Sequence, residues 1–314
     1  MASLNATSCA AAHPNEMTTL TTAQLLAQVA ELPQTEGFAA NGDVQIHYRT
    51  YGSGPALLFQ HGFPDNENSY FHQVLEFARD HLVITPTLRG YPPSSEPRDA
   101  DRYTIPELAT DIGAVLDHLQ VDDVVLIGHD WGGGILQAFA LVQPERVRGL
   151  AFLNTPVLQP FFDQVNHDPV QQQLSEYTIA YQQYEEGDDK NIDYIVRYIR
   201  DPEWRRRISD YLAASPMHGM LSYYKKGYPA PPYGAPSPSD VSQFVYKVPA
   251  LILWGLEDPY FVLEHLSRLW DWFTLSYRFV SIPGAGHWVH QDAPRKVNAE
   301  LRSWLATLDD PAFS

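Results

Sequence analysis

The 314-residue chain has a single cysteine, Cys9, so no intrachain disulfide can form and a reducing compartment, the cytoplasm, is the default expectation. Positive charge is also scarce: 21 Lys and Arg stand against 38 Asp and Glu, a formal net charge of −17. Nucleic acid and anionic membrane surfaces are therefore disfavoured as partners, because both require clustered Lys and Arg. No apolar run approaches the roughly 20 residues of a membrane helix, and no membrane span is expected. The amino terminus lacks the basic start and the apolar stretch of about 7 to 15 residues that mark a signal peptide. The 12 histidines show no HExxH or other zinc spacing, so neither a metal nor a cofactor is expected. With 44% hydrophobic and 19% charged residues, what remains is a globular chain long enough for one large α/β domain, with or without an insertion.

Residues 1 to about 20 are small, polar and without periodicity, and read as a tail. Thr21 or Thr22 is placed to cap a short helix in which Leu25, Leu26, Val29 and Leu32 share one face, completing an N-terminal segment 1–36. From Val44 the pattern becomes strands alternating with helices. Val44, Ile46 and Tyr48 alternate, and nearly all-apolar runs follow at 56–60, 82–85, 124–127, 150–153, 250–254 and 278–282. Such runs suit a mostly parallel sheet covered by helices on both faces. Residues 156–245 break this rhythm with tyrosines, glutamines and charges at helical spacing, then a Pro-rich stretch near 229–238 that reads as a connector. The expected organisation is thus a core in two parts, 37–155 and 246–314, interrupted by a helical cap at 156–245 lying over the ligand crevice. A closing helix from Pro294 carries Val297, Leu301, Trp304, Leu305 and Leu308 on one stripe.

The chemistry concentrates in Val125-Leu-Ile-Gly-His-Asp-Trp-Gly-Gly133. Gly128, Asp130 and Gly132 form a Gly-x-nucleophile-x-Gly turn between a strand and a helix, with a carboxylate where serine is usual. A carboxylate with an ordinary pKa of about 4 is already ionised at neutral pH and needs no base to activate it. Attack on an ester would give a reactive anhydride. Its productive target is an sp3 carbon bearing a leaving oxygen or halogen, and the intermediate is an alkyl ester on Asp130. Asp258 and His287 each follow a later strand, giving the chain order nucleophile, acid, histidine. His287 is then the base that takes a proton from the hydrolytic water, and Asp258 orients it; Glu257 is an adjacent competitor. The loop His61-Gly-Phe-Pro64 offers the Phe63 amide to pair with that of Trp131 as an oxyanion hole. His129 reads as packing beside the nucleophile and His290 as a helix-entry or surface histidine.

Four segments carry a family resemblance: His61-Gly-Phe-Pro-Asp65, Leu88-Arg-Gly-Tyr91, Gly128-His-Asp-Trp-Gly-Gly133 and Gly286-His-Trp288. Over roughly residues 37–308 the chain resembles the epoxide hydrolase branch of the α/β-hydrolase superfamily, whose Asp nucleophile is shared with haloalkane dehalogenases. The resemblance implies an α/β-hydrolase fold, a small-molecule epoxide as substrate, no cofactor, and a monomer or homodimer. It also implies two cap tyrosines that donate to the epoxide oxygen: Tyr181 from Tyr181-Gln-x-Tyr184 and Tyr224 from Leu221-Ser-Tyr-Tyr-Lys225, with Tyr184 and Tyr223 as their alternates. Phe63, Trp131, Tyr181, Tyr224 and Trp288 are the expected substrate-binding set. Thr87 before Leu88-Arg89-Gly90, where the family usually has Asp, and Pro92-Pro93, where a Gly is usual, depart from the pattern. Two other readings stay open. A haloalkane or haloacid dehalogenase uses the same nucleophile, but many haloalkane dehalogenases have Asn where Phe63 stands, and fluoroacetate-type enzymes have Arg where Trp131 stands. A non-catalytic hydrolase fold binding a small apolar ligand would need none of Asp130, Asp258 and His287.

Overall fold

The computed structural model describes residues 20–308, so the tail read at residues 1 to about 20 lies almost wholly outside the described residues. The strands are β1 (Gln34–Asn41), β2 (Val44–Tyr51), β3 (Ala56–Gln60), β4 (Leu82–Pro86), β5 (Val124–His129), β6 (Val147–Leu153), β7 (Ala250–Gly255) and β8 (Tyr277–Ile282). They form one sheet in the order β1-β2-β4-β3-β5-β6-β7-β8. β1 with β2 and β2 with β4 are antiparallel; every other pair is parallel. Every residue of β5 and β7 is buried, as expected for strands covered on both faces.

The helices are α1 (Thr22–Ala30), α2 (Phe71–Phe77), α3 (Ile105–Leu119), α4 (Trp131–Val142), α5 (Leu158–His167), α6 (Pro169–Leu174), α7 (Tyr177–Gln183), α8 (Ile192–Ile195), α9 (Pro202–Ala214), α10 (His218–Gly227), α11 (Val289–Asp292) and α12 (Pro294–Leu308). None among the described residues is long and apolar enough to cross a membrane. Six of them, α5 to α10, lie between β6 and β7, and residues 228–241 after α10 form neither helix nor strand. In α12, Val297, Leu301, Trp304 and Leu305 are buried, the stripe expected of an amphipathic helix.

Two findings at the amino-terminal side go beyond the sequence reading. Strand β1 is announced by no apolar run: it is a sheet-edge strand in which Ala39 alone is buried, so the period-2 signal is missing. Helix α1 starts with a capping box between Thr21 and Gln24. Its first turn then grips the inserted helices, Thr22 Oγ1 donating to Asp201 Oδ2 at 3.0 Å and the Ala23 amide donating to Glu203 Oε2 at 2.9 Å.

Candidate active site

Asp130, Asp258 and His287 follow β5, β7 and β8, and the loop His61–Asp65 follows β3, so parallel pairing delivers all four to the carboxyl edge of one sheet. At Asp130 the chain turns sharply from β5 into α4 with φ 52° and ψ −127°, a conformation an L-residue holds only when its surroundings impose it. The surroundings are backbone. A Cβ on Gly132 would stand 2.2 Å from the Gln60 carbonyl oxygen, and one on Gly62 would stand 2.3 Å from Asp130 Oδ1. Only glycine at these positions lets α4 and the His61–Asp65 loop close around the carboxylate.

That closeness places the Phe63 amide 2.7 Å from Asp130 Oδ1, donating to it. The His287 ring sits between two acids, with Nδ1 2.8 Å from Asp258 Oδ2 and Nε2 3.6 Å from Asp130 Oδ2. The Asp258 and His287 side chains are 1% and 3% exposed while Asp130 keeps 15%, so Asp130 is the member of the trio that faces open space. Asp258 is fixed from three sides: Oδ2 also accepts from Asn154 Nδ2 at 2.7 Å, and Oδ1 accepts from the Tyr260 amide at 2.8 Å. Glu257, the sequence competitor, pairs instead with Arg200.

The electrostatics follow from this geometry. Burial opposes ionisation of Asp130, but the hydrogen bond and charge of His287, helped by the Trp131 amide, outweigh it and hold the carboxyl below its ordinary value. Burial likewise opposes the charged form of His287, yet the two flanking carboxylates raise it to about 10, so the resting ring is an imidazolium. The His129 Nε2–H donates to the His287 carbonyl at 3.0 Å, and the two rings lie 4.5 Å apart between centroids. Burial depresses His129 to about 3, and it stays neutral.

Tyr181 and Tyr224, from α7 and α10, line one small cavity with Asp130, His287, Phe63 and Trp288. Their ring centroids are 5.0 Å apart, and both rings pack on Phe63, at 5.5 and 5.6 Å. Burial, then the Asp130 charge, pushes the Tyr224 phenol well above its ordinary value. The Trp131 ring packs edge-on against it, 5.2 Å between centroids. Burial raises Tyr181 too, with Arg197 opposing it. The alternates are placed elsewhere: the Tyr223 hydroxyl donates to the Arg89 carbonyl at 2.7 Å, and Tyr184 caps α7 away from the cavity lining.

One histidine reading needs correction. His290 does stand at a helix entry, in the first turn of α11, but it is completely buried and not at the surface: its Nε2 meets Ser69 Oγ at 2.9 Å and its ring packs 4.8 Å from Tyr70. Trp288 lines the cavity as expected, although its indole N–H is committed to Asp65 Oδ2 at 3.0 Å. Asp65 is a residue the sequence reading named only within a motif. Its carboxylate also accepts from Trp204 Nε1 at 2.9 Å and Ser69 Oγ at 2.7 Å, tying the His61–Asp65 loop to α9 and to the His287 loop. Asp65, His129 and His290 each bring one potential ligand atom within 4.8 Å of the others, but the carboxylate is already occupied by three donors. Asn154, Tyr177 and Tyr260 were also not singled out. Asn154 lies after the end of β6 at a positive φ of 44°, a conformation Asn tolerates, which is the signal that was present.

A family model for the α/β-hydrolase fold matches residues 55–294. Epoxide hydrolase 1 of Caenorhabditis elegans is 30% identical over 285 residues, covering 83% of this chain and 68% of that protein. An epoxide hydrolase of Caballeronia sordidicola is 28% identical over 321 residues, covering 86% of this chain and 93% of the other. Among solved structures, an epoxide hydrolase of Bacillus megaterium in complex with an inhibitor superposes with a TM-score of 0.76 at 27% identity, over 86% of this chain and 100% of that one. The chain belongs to the α/β-hydrolase family and, within it, to the epoxide hydrolases.

Proposed function

We propose that this enzyme hydrolyses an apolar epoxide to a vicinal diol through an alkyl ester on Asp130, with residues 156–245 acting as the cap that supplies the proton donors. The observation that carries this reading is the meeting of an ionised carboxylate and two protonated phenols, Tyr181 and Tyr224, in one cavity. Asp130 Oδ1 is engaged by the Phe63 amide, which leaves Oδ2 to attack a ring carbon from behind. The C–O bond of the epoxide breaks, its oxygen takes a proton from a phenol, and the ester forms with Oδ1 as its carbonyl oxygen.

Esterification changes the histidine. The Asp130 charge disappears, so His287 keeps Asp258 as its only flanking carboxylate and its pKa falls from about 10. The ring gives its proton to the phenolate left by ring opening and, now neutral, takes a proton from a water attacking the ester carbonyl carbon. The oxyanion on Oδ1 stays with the Phe63 and Trp131 amides, and collapse expels the diol oxygen, which receives the proton from His287. The base is thus switched on by the step that needs it.

The dehalogenase reading requires side-chain N–H donors for a halide. Phe63 brings no polar group to the cavity, whereas Tyr181 and Tyr224 bring two phenols suited to an epoxide oxygen, so the cavity favours an epoxide. A single turnover in H2-18O with enzyme in excess tests the scheme. The first diol is expected to carry no label and Asp130 to acquire it, because the added oxygen comes from the carboxylate. Labelled diol in the first turnover means direct attack by water and rejects the ester route.

A further inference from the structure

We propose that Arg200, in the insertion between α8 and α9, is a positioning residue for the second half-reaction: it braces the two loops that carry Asp258 and His287 and so sets where the His287 ring stands against the ester. This rests on the epoxide-hydrolysis reading and adds a residue to its hydrolytic step. The inserted helices then serve both steps, with two phenols in the first and this arginine in the second.

His287 needs an external brace because of what precedes it. Gly284, Ala285 and Gly286 bring no side chain larger than a methyl group, and Gly284 takes a positive φ of 79°. Such a segment has much conformational freedom to lose and little packing of its own to hold it. The bond from His287 Nδ1 to Asp258 Oδ2 ties the ring to its acid. Nε2, the atom that must reach the hydrolytic water, lies on the far side of the ring, so any shift of the loop moves it.

One guanidinium meets all three of these residues, directly or through one partner. Arg200 Nη1 donates to the Gly284 carbonyl at 2.6 Å. Nη2 donates to Glu257 Oε2 at 2.7 Å, and the Glu257 amide donates to the Ala285 carbonyl at 2.9 Å. Nε lies 3.4 Å from Asp292 Oδ2, the oxygen that accepts from the Gly286 amide at 2.7 Å. The fit is close: a Cβ on Gly286 would stand 3.1 Å from Arg200 Nη2 and 3.2 Å from Asp292 Oδ2. Glu257 and Gly286 are the chain neighbours of Asp258 and His287, so the brace reaches both members of the acid–base pair. Arg200 is itself anchored, since the next residue, Asp201, caps α9 through the Trp204 amide at 2.6 Å and accepts from Thr22 Oγ1 at 3.0 Å.

The Arg200 and Glu257 side chains are 41% and 59% exposed, and pairs of that kind contribute little to stability. Asp292, at 7%, is buried, and burial raises its carboxyl, with the Gly286 amide and the Arg200 charge opposing. The brace is thus a device of geometry more than of folding free energy.

The test is Arg200→Gln, with rapid quench and intact-mass detection of the ester on Asp130 during turnover of an epoxide that the unaltered enzyme accepts. Ester hydrolysis is expected to slow about tenfold, while ester formation, which needs Asp130 and the phenols, stays within about twofold. The ester then occupies a larger share of the enzyme during turnover. Arg200→Lys keeps the charge but cannot reach the three acceptors at once. It is expected to show the same split to a smaller degree, and it decides the matter if the Gln variant does not fold. Arg206→Gln, which removes an exposed pair with Asp210 on α9, should leave both steps unaltered. Equal slowing of both steps, or unchanged ester hydrolysis, overturns this inference while leaving epoxide hydrolysis intact. Absence of any ester on Asp130, in a His287→Gln variant as well, overturns the activity reading together with it.

Discussion

The carboxyl edge of the sheet and the inserted helices meet around Asp130, yet they hold their functional groups by different means. At the sheet edge each group is locked by hydrogen bonds and by backbone geometry. Asp130 sits at φ 52° with an amide 2.7 Å from one oxygen, and Asp258 accepts three bonds, from Asn154, His287 and Tyr260. In the insertion the two phenols are located by ring contacts: Tyr181 on Tyr224, Tyr177 and Phe63, and Tyr224 on Trp131 and Tyr228. Hydrogen bonds fix atoms to within a few tenths of an ångström, whereas packed aromatic rings leave the helix that carries them free to shift. In the proposed mechanism this difference divides the work: covalent chemistry falls to the half locked by hydrogen bonds, and proton donation and substrate fit to the half held by ring packing.

Perturbing the rigid half should cost most. Gly62→Ala forces a Cβ to within 2.3 Å of Asp130 Oδ1. Displacing the Phe63 amide in this way should lower kcat roughly 10²- to 10³-fold, as loss of one oxyanion donor does. A loss of less than about tenfold would mean that the amide is not part of the hole.

In the adaptable half, Tyr181→Phe and Tyr224→Phe should each slow ester formation about 10²-fold. The rate of ester hydrolysis should be nearly unchanged, because neither phenol acts in that step; pre-steady-state kinetics separates the two. Equal slowing of both steps would show that the tyrosines only hold the cap in place.

The pH dependence sharpens the contrast further. His287 is held near 10 by two carboxylates in the resting enzyme and loses one of them in the ester. Hydrolysis of the isolated ester should therefore rise about tenfold per pH unit at low pH and level off below pH 10. A plateau reached only above that value would show that esterification does not release the base. The smallest effect belongs to Tyr223→Phe, which removes a buried hydrogen bond to the Arg89 carbonyl. Stability should drop by about 1 kcal/mol in urea unfolding, with both chemical steps unaltered, although the adjacent Tyr224 is the proposed proton donor.

The same contrast explains what could be read from the sequence. Asp130, Asp258 and His287 are legible because each follows a strand and lies near the glycines of a tight turn, the strands before Asp130 and Asp258 being contiguous apolar runs. The order of strands then brings them together with no further information. Tyr181 and Tyr224 were named by resemblance to a motif, since with 18 tyrosines in the chain nothing in the spacing separates a donor from a packing ring. Strand β1 escaped because edge pairing needs no apolar run. The burial of His290 escaped because a buried imidazole leaves no trace in local pattern when its partners, Ser69 and Tyr70, lie more than 200 residues away. Asp65 escaped for the same reason: its indole partners Trp204 and Trp288 come from the insertion and from the His287 loop.

The central claim is that Asp130 becomes an ester and that His287 releases it. The most direct measurement is the intact mass of a His287→Gln variant after exposure to an epoxide, with the modified residue located by peptide mapping. Replacing the base should trap the intermediate as an adduct equal in mass to the whole epoxide, on Asp130. Absence of an adduct with any epoxide that the unaltered enzyme turns over, or its presence on another residue, would contradict the account.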